Sequence, residues 1–327
     1  MTAADTTTTG GSLIMRGRLL IRRPRSSGGD DEKKLPLRKQ AFFQALCIFV
    51  TFTVLFPIMW VVSLALDPRG LPRPEGLNLI PAGASLNAFV EVIHRPTTNP
   101  IDFFSLAKNS FILAISTSTF SVAVGVLAAY AFSRLRFIGR QALMLGILAV
   151  LMLPPVVTIV PLFVEFNSIR FQDLPILGDF NLRASLAGVA LAVISGLLPF
   201  AIWNLKGYLD TIPKELEEAA AVDGATRNQA FRSVILPLAV PALAVTAFLG
   251  FIAGWTEYYF SVVFLTGKVD SYTLAIALNL LVGQYATQTP WSHFSAFAIL
   301  FAAPVSIVYL FLQKYIVSGL AVGGVKG

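Results

Sequence analysis

Charge is what this sequence has least of. Asp, Glu, Lys and Arg make up 13% of its 327 residues, against about 25% in an ordinary soluble domain. A single cysteine, Cys47, and two distant histidines, His94 and His293, are all it offers in those residue types. That excludes a disulfide framework and a cysteine-rich zinc site, and leaves little for imidazole metal chemistry, so no metal site is expected. The sequence has no GxxxxGK[ST] loop to cradle ATP phosphates, no HExxH and no GxSxG, so neither a catalytic site nor a directly bound cofactor is expected.

What is there is apolar. Hydrophobic residues reach 55% and the mean hydropathy is +0.72, values of a chain that lives mostly in lipid. Runs without any Asp, Glu, Lys or Arg cover 40–66, 109–133, 141–164, 184–205, 233–256 and 271–313. A bilayer core about 30 Å thick needs roughly 20 apolar helical residues, so each of the first five runs fits one span. In the sixth, the apolar core of the first half extends only from Leu274 to Gly283. A stretch that short belongs at an interface or inside protein, and the sixth span is placed at 294–313. The expected fold class is all-α, a polytopic membrane protein with six transmembrane helices.

The distribution of Lys and Arg sets the orientation. With six spans both termini lie on one side, and that side, with the loops 134–140 and 206–232, collects 18 of the 25 basic residues. The richer side is cytoplasmic. The net charge of +7 is therefore a topology signal and not a nucleic-acid footprint. Residues 1–40 are rich in Thr, Ser, Gly and Arg, too polar for a core, and are expected to be a disordered cytoplasmic extension facing membrane lipid. The apolar run behind them is longer than a signal-peptide core and reads as an uncleaved anchor.

Several spans carry proline: Pro57, Pro154, Pro155, Pro161, Pro199, Pro237, Pro241 and Pro304. Proline frees a backbone carbonyl that must find a partner in a neighbouring helix or a wet cavity. Pro154–Pro155 falls mid-span, so that helix is expected to be bent, either beside a translocation pathway, to which Pro199 also points, or as a static packing kink. Gly250 and Gly254 form a GxxxG pair suited to close helix packing. Glu257, with Tyr258 and Tyr259, either lines the pathway or belongs to an interfacial aromatic belt. Span interiors hold no charged residue, which argues against an ion-coupled carrier.

The loop 206–232 reads KGYLDTIPKELEEAAAVDGATRNQAFR. Thr211 is expected to cap a helix entered through Pro213, with Glu215, Glu217 and Glu218 near its positive end. Asp223–Gly224 stops it with a left-handed glycine. Thr226 and Gln229 form a capping box for a second helix that runs into the membrane to Pro237. The product is a helix–turn–helix elbow with a flat apolar patch of Leu216, Ala219, Ala220 and Ala221 flanked by acids, shaped to dock into another protein's groove.

That stretch, EAAAVDGATRNQAFRSVILPLAVP, resembles the EAA loop of binding-protein-dependent ABC importer permeases: Glu218, Ala219, Ala220, Gly224, Leu236 and Pro237 stand at the family spacing, with Val234 where Ile is usual. FPIMWVVSLAL, AYAFSRLRFIGR, WNLKGYLDTIP, SYTLAIAL and QKYIVSGLAVGGVKG resemble the carbohydrate branch, and within it the maltose/maltodextrin permease subunits of the MalG type, over about 42–327. The resemblance implies the ABC type I importer permease fold and a non-catalytic sugar-importer subunit in the cytoplasmic (inner) membrane. It implies a second, different permease subunit, two copies of a cytoplasmic ATPase carrying ATP and Mg, and an extracytoplasmic sugar-binding protein. Leu216, Glu217, Glu218, Ala219, Ala220, Ala221, Asp223, Gly224, Leu236 and Pro237 would couple to the ATPase. The outer segment 266–291, with Gly267, Tyr272, Gln284 and Trp291, would reach the binding protein, or else form a re-entrant loop packed on its own bundle. The tail from Ser318 would touch the ATPase pair or fray. The alternative function is a secondary carrier or channel for a small polar solute, which leaves the elbow unexplained.

Overall fold

A computed structural model describes residues 36–70, 79–174, 178–284 and 288–323. The expected extension lies outside the described residues as far as residue 35. Helix α1 (Leu37–Leu66) starts inside the stretch assigned to that extension and takes in Arg38 and Lys39. The chain divides into two units, Met1–Val54 and Leu55–Gly327; the first contributes the N-terminal part of α1.

The second unit continues with α2 (Asn87–His94), α3 (Phe103–Arg134), α4 (Arg140–Val150), α5 (Ile159–Ser168), strands β1 (Arg170–Leu174) and β2 (Gly178–Asn181), then α6 (Leu186–Thr211), α7 (Glu215–Val222), α8 (Arg227–Ala230), α9 (Leu236–Trp255), α10 (Tyr259–Phe264), α11 (Leu274–Leu280) and α12 (Trp291–Gly323). Among the described residues, five helical segments are long and apolar enough to cross a bilayer: Leu37–Leu66, Phe103–Arg134, Leu186–Thr211, Arg227–Phe264 and Trp291–Ile316. The remaining span is broken: α4 and the segment Pro155–Ser168 meet at 96°. The break follows from chemistry, because Pro154 has no N–H to continue the ladder of α4. Its φ of −60° and ψ of 129° turn the chain into a short 3-10 turn, Pro155–Thr158. With this bent pair counted as one span, the described residues hold six.

Two features add to the all-α expectation. Strands β1 and β2 pair antiparallel between the bent span and α6. A short amphipathic helix, α2, follows α1 and packs against α12. Before it, Asp67 accepts both the backbone N–H and the guanidinium of Arg69; these bonds hold its carboxyl below the usual carboxylate range.

Helix α3 is the hub of the second unit, with α6 on one flank and α9 on the other. Lipid tails are as apolar as leucine, so hydrophobicity alone does not drive helices together in a bilayer; close van der Waals contact does. The GxxxG pair supplies that contact. A Cβ at Gly254 would lie 2.7 Å from Ala114 Cα, and one at Gly250 2.8 Å from Ser118 Cα. Ser118 Oγ then donates to the Ala247 carbonyl at 2.7 Å. On the other flank, Gly125 faces Ala201 and Leu205. Further along α9, Trp255 is fully buried and stacks with Phe251 and Phe301. Its indole N–H donates to the Phe301 carbonyl at 2.9 Å, one turn before Pro304, where proline loosens the ladder of α12.

The short apolar stretch of the sixth run sits inside protein, as its length predicts. Leu274, Ala275, Ile276 and Ala277 of α11 are buried. Asn109 donates to the carbonyls of Asp270 and Tyr272, and the Leu274 N–H donates to Ser110 Oγ.

Candidate functional site

The elbow forms from the expected residues with one change at its start. Thr211 does not cap α7: it is the last residue of α6 and its hydroxyl donates back to the Tyr208 carbonyl. The N-cap is Lys214, with no side-chain bond. The reason is Pro213, which pushes Ile212 ahead of it out of helical backbone (φ −78°, ψ 123°), so α6 ends at Thr211 before α7 restarts. At the other end Gly224 has φ +88°. The Ala225 N–H reaches the Ala220 carbonyl and the Gly224 N–H the Ala221 carbonyl, the paired bonds of a Schellman cap. Thr226 and Gln229 complete a reciprocal capping box. The chain then enters the membrane through a π-helical turn, Phe231–Ile235. Such a widened turn fits just ahead of Pro237, whose ring would crowd the Ser233 carbonyl in a regular helix.

The two faces of α7 differ. Glu215, Leu216, Glu218, Ala219, Ala221, Val222, Asp223 and Gly224 are exposed, and Val222 is 87% exposed. Ala220 is half-buried. Glu217 turns the other way. Its Oε1 accepts from Arg134 Nε, and its Oε2 accepts from the Tyr130 hydroxyl at 2.9 Å. The remaining Arg134 nitrogens donate to the Ile212 carbonyl at 2.8 Å and to Ser133 Oγ at 3.1 Å. The Ser133 hydroxyl donates to Asp210 at 2.6 Å, and Asp210 also receives Lys206. Tyr130 packs against Phe231, ring centroids 4.6 Å apart. Leu236 is partly packed on the same cluster as Phe231 and Ile235, whereas Pro237 is exposed; both stand at the foot of α9, away from the α7 face.

A second feature is a cavity of about 680 Å³ where the bent span meets α6 and the α9–α10 junction. Pro155, Thr158, Ser195, Gly196, Phe260 and Glu257 are among its lining, and Glu257 is its one ionisable member. Glu257 Oε1 accepts the Phe260 N–H at 2.6 Å. The bend thus borders a cavity, with Pro155 and Glu257 brought together. Pro154, Pro199, Tyr258 and Tyr259 do not line it. Pro199 is buried within α6, Tyr258 donates to Asn279, and Tyr259 points outward. Among the residues expected to meet a binding protein, Gly267 and Gln284 are exposed, while Tyr272 and Trp291 are half-buried. Tyr272 packs against the core, and Trp291 stands edge-on to Phe294. Among the described residues no cluster of three or more His, Cys, Asp or Glu could hold a metal ion.

The family described as "Binding-protein-dependent transport system inner membrane component" matches residues 121–322, a stretch that includes the elbow, the bent span and the cavity. The chain belongs to this family. Curated relatives of the inner membrane component named "Maltose/maltodextrin transport system permease protein MalG" agree. That of Yersinia pestis is 38% identical over 284 residues, 84% of this chain and 89% of the relative. That of Salmonella typhimurium is 38% identical over 86% of this chain and 94% of its own, and that of Escherichia coli K12 is 37% identical over 84% and 91%. The architecture is the ABC type I importer permease fold. A chain of a bacterial ABC transporter involved in the import of the acidic polysaccharide alginate superposes with a TM-score of 0.66 at 23% identity, covering 85% of this chain and 96% of that one.

Sequence reading missed Arg134, which entered only as a charge in the topology count, and Val222, which it left out of the apolar patch. Both lie within recognised motifs. The pairing of Arg134 with Glu217 spans 83 positions and leaves no spacing signal.

Proposed function

We propose that this inner membrane component is the permease subunit of an ATP-driven importer of maltodextrin-type oligosaccharides. The elbow carries the reading: a capped helix tied to the spans on one face and presenting an apolar and acidic surface on the other. Such a surface suits a groove on a separate ATPase. ATP and Mg would be bound by that partner, since this sequence has no phosphate-cradling loop. Two ATPase copies, a second and different permease subunit and an extracytoplasmic sugar-binding protein complete the complex. Both termini and α7 lie on the cytoplasmic side, and the 266–291 segment lies outside.

In this reading ATP-driven closure of the ATPase pair moves α7. The spans rock between inward- and outward-open states, a shift between two populated conformations. Leu216, Ala219 and Val222 seat in the ATPase groove, with Glu218 beside a basic residue there, and Gly224 holds the turn. The cavity at the bend, with Glu257, forms this subunit's share of the pathway. The saccharide assignment is supported by the names of relatives 37–38% identical; the elbow by itself supports any cargo of the family.

Reconstitution with the partner subunits tests it. Labelled maltotriose should accumulate in proteoliposomes only when ATP and sugar-loaded binding protein are both supplied, and Glu218→Lys should reduce the amount of ATPase that co-purifies. Uptake that proceeds without the ATPase, or that follows an ion gradient, would establish the carrier reading instead.

A further inference from the structure

We propose that Arg134 is a positioning residue that locks the coupling helix to the membrane spans, so that motion of α7 is delivered to α3 and α6 rather than absorbed by bending at Ile212–Lys214. The proposal deepens the coupling reading and rests on it. Arg134 is the last residue of α3, and its side chain is 7% exposed against 16% for Glu217. One guanidinium meets two other segments, Glu217 on α7 and the Ile212 carbonyl at the end of α6, and is braced on its own helix by Ser133, which hands on to Asp210 of α6. Arginine suits this place because its planar fork directs several donors in fixed directions, whereas lysine is a point charge on a flexible stem. The pair is shielded from solvent, so salt screens it little and its charge-assisted bonds are strong and directional.

The segment it spans needs such a tie. Between α6 and α7 the chain passes Ile212, Pro213 and Lys214 with no helical ladder across them, and α7 is 8 residues long without a side-chain N-cap. A helix that short has little stability of its own. The Schellman turn fixes its far end to α8; Arg134, through Glu217, fixes its near end to the spans. Tyr130 adds a bond to the same carboxylate and packs on Phe231 at the foot of α9. The half-buried Glu217 carboxylate thus ties the elbow to α3, and Arg134 and Tyr130 extend the tie to the end of α6 and the foot of α9. A hinge left free at Pro213 would let the ATPase pair close without moving the cavity.

The readout that separates transmission from folding is the number of ATP molecules hydrolysed per sugar imported, measured on the complete reconstituted complex with sugar-loaded binding protein. Arg134→Gln should raise that ratio about tenfold in complexes that still contain the ATPase. Arg134→Lys should recover part of the coupling, because lysine restores the charge but not the fork. Glu217→Gln should move the ratio in the same direction, and the double variant Arg134→Gln/Glu217→Gln should be no worse than the worse single one, as expected for two members of one pair. Wild-type stoichiometry in Arg134→Gln or in Arg134→Lys would overturn the proposal. So would loss of uptake that only tracks loss of assembled complex, at unchanged stoichiometry. A wild-type complex whose ATPase ignores the loaded binding protein would overturn this proposal and the coupling reading together; a coupled wild type with indifferent variants overturns only this one.

Discussion

Gly224 shows how much one backbone angle does. At φ +88°, a Cβ on this residue would meet nothing within 4 Å, so the glycine is required by conformation and not by space. Gly224→Ala should therefore cost about 1–2 kcal/mol of local strain with no clash, and Gly224→Asp should behave alike in packing while adding charge to the docking face. Both should leave the subunit inserted in the membrane. Their uptake should fall in the order wild type, Ala, Asp, measured in complexes matched for ATPase content; full transport by Gly224→Asp would count against the turn's role. This residue was legible beforehand, because Asp-Gly after an alanine-rich helix is a stop signal with a mechanism. Thr211 was misread by the same logic. A threonine ahead of Ile-Pro resembles a cap, but a preceding helix already held its backbone, and sequence alone does not say which of two helices claims a boundary residue.

At the scale of elements, the long spans were legible from missing charge, and the broken one from a proline pair, because unsatisfied groups facing lipid are costly. The β1–β2 hairpin and α2 were not, since outside the bilayer a short segment takes its form from its neighbours. The GxxxG pair gains a partner only in three dimensions: the nearest atoms opposing Gly250 and Gly254 are the Ser118 and Ala114 backbones of α3, which cannot swing aside. Gly254→Val should therefore push α9 off α3 and sharply lower the yield of folded, detergent-extracted subunit, beyond the usual 1–3 kcal/mol of an overpacked core. Gly146→Ala in α4 is the matched control. Nothing lies within 4 Å of its added Cβ, and alanine favours a helix by about 1 kcal/mol over glycine, so thermal melting should be unchanged or slightly raised.

For the whole molecule, the orientation proposed from the Lys and Arg distribution has a direct check, made easier by the single Cys47. In a Cys47→Ser background, a cysteine at Val222 should react with an impermeant thiol reagent only from the cytoplasmic side, and one at Lys268 only from outside. The reverse pattern would invert the assignment of α7 to the ATPase. The expectation itself comes from the sequence, because basic residues mark sidedness statistically. It did not carry the cavity at the bend, which brings 155, 195 and 257 together through tertiary packing.

The nearly bare valine at the tip of the elbow has a further consequence. With the exposed Leu216 it leaves apolar surface on α7 that only a bound partner would take out of water. An orphan copy of this chain, correctly inserted but without its motor, should be short-lived in the cell, and its abundance should follow the supply of whatever covers Val222.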